Sequence, residues 1–159
     1  MGSIPGVSPS GALRPEVISS QWLGVSDGVA DLEGAIGPHT DQNAKVKCVV
    51  NFFGPADLLT MGGSHDQPDS PEAKLIGGPV QENPDKAKSA SPVEHVTSDD
   101  APSLIVHGTE DPAVPYSQSV ALEKKLEEAG VPAILLTVEG AGHGKGFGPT
   151  VNKVAGAYL

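Results

Sequence analysis

Two segments bring together residue types that could carry out acid–base chemistry. Asp111 stands in His107-Gly108-Thr109-Glu110-Asp111-Pro112-Ala113-Val114-Pro115, and His143 in Gly140-Ala141-Gly142-His143-Gly144. An imidazole flanked by glycines can approach a partner closely. An aspartate at its other nitrogen would fix the tautomer and stabilise the imidazolium formed when the ring takes up a proton in acyl transfer. A plainer reading stands beside this one: Asp111 caps the turn that follows it, and His143 is a loop histidine bonded to backbone. His39, His65 and His95 lie far apart in loop-like sequence and read as solvated, the alternative being a cation site near His65, Asp66 and Asp69. Asp27, Asp31 and Glu33 lack the spacing of a calcium loop and read as an acidic turn.

For Asp111 and His143 to meet, the chain around them must return both to one edge. Val46–Phe53 is rich in β-branched and aromatic residues and is stopped by Gly54-Pro55, which predicts a buried strand. Ser103–Val106, ending at His107-Gly108, and Ala133–Val138, ending at Glu139-Gly140, predict two more. Ser117–Ala129 places Leu122, Leu126 and Ala129 on one face and stops at Gly130, with Pro132 beyond, as an amphipathic helix should. Strand, helix and strand form a right-handed crossover, so the last two strands lie parallel. Near-continuous apolar strands suit a parallel sheet covered on both faces. Ligands bind outside the carboxyl ends of such strands, where the loops of Asp111 and His143 emerge.

The remaining segments are less ordered in pattern. Residues 1–15 show no periodicity and read as a loose arm or an artificial addition. Glu16–Leu32 could be a turn-rich helix or a short strand, and Val151–Leu159 has room for a final helix. The proline-rich stretch Leu58–Asp100 reads as an excursion over the sheet edge, with helical turns at Ser70–Leu75 and Asn83–Ser89. Such an excursion either covers a cleft or is a plain surface insertion. Trp22 and the Phe52-Phe53 pair read as core or edge cover, and His107 as packing beneath the Asp111 loop.

HGTEDPAVPYSQS followed by AGHG resembles the acid and histidine segments of the α/β-hydrolase family, whose chain order is nucleophile, acid, histidine. VVNFFGPADLLTM, LGVSDGVADLEG and SPEAKLIGG resemble acetyl-esterase, acetylxylan-esterase and feruloyl-esterase-like members, so the likeness runs from Leu23 to Leu159. It implies an α/β chain holding the C-terminal part of the fold, a truncated α/β-hydrolase with a small parallel sheet flanked by helices. The partial domain covers 16–159, with an insertion at about 58–100. It implies Asp111 as the triad acid, His143 as the general base, no cofactor and a small-molecule ester substrate with acetyl or short acyl groups.

The family's G-x-S-x-G elbow should precede LGVSDG, where this chain has Arg14–Trp22 without such a turn. Gly24-Val25-Ser26-Asp27-Gly28 fits the pattern literally, but by resemblance it matches the far end of the helix after the elbow. Ser8 and Ser10 sit among Pro5 and Pro9, which suit an elbow poorly. No His-Gly-Gly-type oxyanion loop is recognisable. The expectation is therefore a weak esterase-like hydrolase, the alternative being an inactive remnant that serves as an oligomeric or ligand-binding module.

Composition narrows the partners. A formal charge of -10, with ten dispersed Lys and Arg, argues against nucleic acid. No apolar stretch is long enough to span a bilayer, the first residues lack signal-peptide character, and the compartment stays open. Cys48 is the only cysteine, which excludes an internal disulfide. With so few strands, the edge at Val46–Phe53 is expected to pair with a second chain or with Glu16–Val25, giving a homo-oligomer through the sheet edge. A light-scattering mass of one chain would argue against intermolecular pairing.

Overall fold

The computed structural model describes Gly24, Val25 and residues 45–159. Strand β1 (Val49–Phe52), β2 (Ser103–Gly108) and β3 (Ala133–Val138) form a three-stranded sheet in the order β1-β2-β3. All pairing is parallel, with Phe52 opposite Val106 and Val106 opposite Leu136. β1 is shorter than the apolar run predicts: it begins only at Val49, and at its end Phe53 turns out of the strand with φ 44°. Helices α1 (Pro71–Ile76) and α2 (Pro84–Ser89) lie between β1 and β2, α3 (Ser117–Glu128) joins β2 to β3, and α4 (Pro149–Tyr158) follows β3. Among the described residues no helix is long and apolar enough to cross a membrane.

The termini of these helices follow their sequence. Ser70 caps α1 by accepting from the Ala73 amide, Pro71 opens its first turn, and Gly77 ends it in the left-handed conformation. At the end of α3 the Gly130 amide bonds the Glu127 carbonyl and the Val131 amide bonds the Leu126 carbonyl. This is a Schellman closure, and its apolar contact is present because Val131 and Leu126 share one core cluster.

β2 is buried along its whole length. Ile105 faces Leu122 and Leu126 of α3, while Leu104 and Val106 on the other face meet Val151 and Ala155 of α4. The sheet is thus covered on both sides at β2. Among the described residues β3 is an outer strand, half-buried, with the Leu135 amide bonded to the Glu123 carboxylate at 2.9 Å. A charged side chain on an edge amide hinders strand addition there.

The long connection between β1 and β2 is more than a surface excursion. Leu58, Met61, Val80 and Ala87 form a small core of their own, and Val114 of the Asp111 loop completes it. Gln118, on α3 and 1% exposed, fastens this unit to the sheet layer. Its Oε1 accepts from the Ala56 and Asp57 amides at 2.9 and 2.7 Å, and its Nε2 donates to Thr60 Oγ1 at 3.0 Å. Gln118→Ala strands two amides away from their acceptor, and an unsatisfied buried donor costs about 1–3 kcal/mol. The substitution is expected to lower urea stability by about 2–4 kcal/mol, read from the unfolding midpoint at unchanged slope.

Of the expected segment Glu16–Leu32, the described residues Gly24 and Val25 are helical, and Val25 is fully buried. Residues 1–15, Trp22, Ser26, Asp27, Asp31, Glu33 and His39 lie outside the described residues.

Candidate active site

The loops leaving β2 and β3 emerge side by side because the two strands are parallel neighbours joined by α3. They are then locked together. The Glu110 amide bonds the Ala141 carbonyl at 2.9 Å, the Thr109 amide bonds the Val138 carbonyl at 3.1 Å, and the Gly140 amide bonds Thr109 Oγ1 at 2.9 Å. Gly108 stands where the loops cross, and a Cβ there would overlap the Ala141 carbonyl.

The crossing sets Asp111 against His143. His143 Nδ1 lies 2.8 Å from Asp111 Oδ2, with the carboxylate wholly buried and the imidazole one-third exposed. A carboxylate only accepts, so Nδ1 carries a proton, and in the neutral ring Nε2 keeps its lone pair. The other oxygen, Oδ1, accepts from the Ala113 and Val114 amides at 2.7 and 2.9 Å. One Asp111 oxygen thus caps the turn, and that cap aims the other at the imidazole.

A second histidine lies beneath the same carboxylate. His107 is fully buried; its Nε2 is 3.0 Å from the Val114 carbonyl and 3.4 Å from Asp111 Oδ2, and its Nδ1 is 2.6 Å from Ser119 Oγ. The carbonyl accepts, so Nε2 donates, and the neutral ring accepts the Ser119 hydroxyl proton at Nδ1. Burial holds His107 below the ordinary histidine value of 6.5, and the Asp111 charge offsets only part of this. Below pH 6.5 the unfolded chain then binds a proton at this position that the folded chain refuses, so stability falls on acidification and is unaffected by this group above that range. In urea titrations from pH 8 to pH 5, His107→Gln is expected to flatten the acid loss relative to the parent, although the variant is less stable at neutral pH.

Phe53 was legible only as an apolar residue at a strand end. In the fold its ring centroid lies 4.2 Å from that of His143 and 5.7 Å from that of Phe147. The Phe-Phe-Gly-Pro run marked a strand terminus, but nothing in it showed which way the second ring would turn.

The other described histidines, His65 and His95, lie away from this pair. His65 Nδ1 is 3.2 Å from the buried Glu72, Asp66 accepts from Gln81, and His95 Nε2 is 2.9 Å from the Ser89 carbonyl. Among the described residues no group of three or more His, Cys, Asp and Glu is placed to hold a metal ion, so His65, Asp66 and Asp69 do not form the alternative cation site.

Residues 19–126 match the BD-FAE family, a span that includes Asp111 and most of the chain. The chain belongs to the BD-FAE family. Esterase LipQ of Mycobacterium tuberculosis is 31% identical over 91 residues, covering 56% of this chain and 21% of its own length. A solved structure described as a truncated form of carbohydrate esterase from gut microbiota is 34% identical with a TM-score of 0.79, covering 87% of this chain and 54% of the other. A bifunctional GH43-CE of Bacteroides eggerthii is 29% identical with a TM-score of 0.76, covering 87% and 21%. This BD-FAE chain therefore spans about half the length of the first solved relative and about a fifth of LipQ. Its parallel sheet and flanking helices are the α/β-hydrolase fold over the part it shares with these esterases.

Proposed function

We propose that this chain supplies the acid and the general base of a carboxylic-ester hydrolase acting on small acyl esters such as acetyl esters. The observation that carries the reading is the 2.8 Å contact between the buried Asp111 carboxylate and His143 Nδ1, which makes Nε2 the lone-pair nitrogen of the neutral ring and leaves the ring partly open to solvent. In this reading Nε2 removes the proton of a serine hydroxyl as that oxygen attacks the ester carbonyl. Asp111 stabilises the imidazolium, and His143 then returns the proton to the departing alcohol. Kinship to esterases supports the same chemistry. No serine of the sequence stands in a recognisable elbow; Ser26, which fits the G-x-S-x-G pattern only literally, lies outside the described residues.

Hydrolysis of p-nitrophenyl acetate by the parent, His143→Ala and Ser26→Ala tests the reading. Equal rates in all three would remove it in favour of a binding module without catalysis. A loss with His143→Ala alone would keep the base and point to another nucleophile. Labelling with a serine-directed fluorophosphonate, followed by mapping of the modified residue, identifies that group.

A further inference from the structure

We infer that Phe53 is a positioning residue for the His143 imidazole, a role that rests on the proposed function for its purpose and on geometry for its existence. Phe53 is the single non-glycine residue with positive φ among the described residues, at 44°. That conformation is costly for a residue with a Cβ, and it persists only where its surroundings over-determine it. Here they do. The Phe53 amide bonds the Val106 carbonyl at 2.8 Å, one step beyond the regular β1–β2 pairing, and the next amide, of Gly54, bonds Asn51 Oδ1 at 3.0 Å.

The reversed backbone changes what the side chain meets. Phe52 precedes it with regular strand geometry and packs with Leu104 and Val106 on the α4 side of the sheet. Phe53 instead reaches the carboxyl edge, where its ring meets His143 at 4.2 Å with the planes inclined by 53°. The loop is shaped around it: a Cβ at Gly144, whose φ is +67°, would stand 3.4 Å from the end of the Phe53 ring. The ring is braced from two further sides by Phe147 at 5.7 Å and by His107 at 6.4 Å, both edge-on.

The consequence for His143 is a fixed ring plane. One hydrogen bond to Asp111 sets the position of Nδ1 but leaves the imidazole free to swing about that bond. The aromatic surface beside it removes this freedom, and aromatic pairs favour such inclined arrangements. The direction of Nε2 is thereby set without a second polar partner among the described residues. A base whose lone pair must meet a nucleophile gains from such orientation.

The test is proton NMR of the 159-residue chain, following the His143 Nδ1–H resonance and its exchange with solvent, a readout that needs no catalysis. Phe53→Leu and Phe53→Met keep an apolar side chain without an aromatic face, and Phe53→Tyr restores the face. Exchange is expected to accelerate about tenfold in the Leu and Met variants, the size of an aromatic pair contact, and to return to the parent rate in Tyr. Parent-like exchange in a folded Leu or Met variant would overturn the inference. So would equal acceleration in Tyr, since backbone disturbance rather than the ring would then be responsible. If His143→Ala leaves ester hydrolysis untouched, the proposed function falls while the exchange measurement still decides the role of Phe53. If hydrolysis depends on His143, the Leu variant is further expected to lose kcat at unchanged KM, with Tyr recovering it.

Discussion

Asp111→Asn is expected to lower kcat for a small acyl ester by about 10⁴-fold, the loss seen when an amide takes the place of a triad acid, while the chain stays folded. The reason lies in how the two oxygens divide their work. Oδ1 is fixed by the Ala113 and Val114 amides, and an asparagine oxygen accepts those bonds equally well. Its NH₂ group is then forced into the Oδ2 position, 2.8 Å from His143 Nδ1. Two donors cannot face each other there. His143 must present the Nδ1 lone pair, and the proton moves to Nε2, where the base is needed. Geometry is kept and the tautomer is reversed. His143→Ala removes the proposed base itself, and the double variant is expected to be no worse than the poorer single one, because groups that act as a unit are not additive. Steady-state kinetics of the three variants check this. An Asp111→Asn rate within a few-fold of the parent would discard the assignment of Asp111.

Gly108→Ala carries the second large effect, and it acts on structure first. The added Cβ would overlap the Ala141 carbonyl and press on the Ala141 side chain, and both belong to a backbone that cannot yield cheaply. Ala141 is 2% exposed, its carbonyl receives the Glu110 amide, and its own amide is bonded to the Val138 carbonyl at 3.2 Å. Overpacking of this kind costs typically about 1–3 kcal/mol and more where backbone must move. Here the movement separates the loops that bring Asp111 to His143, so stability and hydrolysis should fall together. Gly142→Ala is the control: a Cβ there meets nothing closer than 3.7 Å, although the position adjoins His143 in the chain. Denaturant unfolding and kcat/KM on both variants separate the outcomes. Parent-like behaviour of Gly108→Ala would show that the loops do not cross as tightly as described.

Much of this arrangement was legible without coordinates. Apolar runs ending in glycine or proline predicted the three strands, with Ala133–Val138 recovered residue for residue. The 3.6-residue spacing of Leu122 and Leu126 predicted the crossover helix, whose hand then required β2 and β3 to be parallel. From that topology alone Asp111 and His143 had to share one edge. Local pattern suffices for such statements because burial imposes a period on each element, and crossover handedness leaves few ways to join them.

Contacts between distant segments carry no such period, and these only the tertiary structure decided. Gln118 lies on the helix face that periodicity predicts to be buried, yet its role comes from amides at Ala56 and Asp57, supplied by another part of the chain. The Leu58–Asp100 stretch is proline-broken, and its small core closes only when Val114 is added. His107 was placed correctly beneath the acid loop, but its bond to Ser119 depends on the helix packing back on β2. Phe53 followed the strand pattern until a single positive φ turned it toward His143. The amino-acid sequence thus determined which elements form and which edge gathers the chemistry. Packing decided how the imidazole is held, because orientation is fixed by neighbours from several segments at once, and no spacing along one segment encodes them.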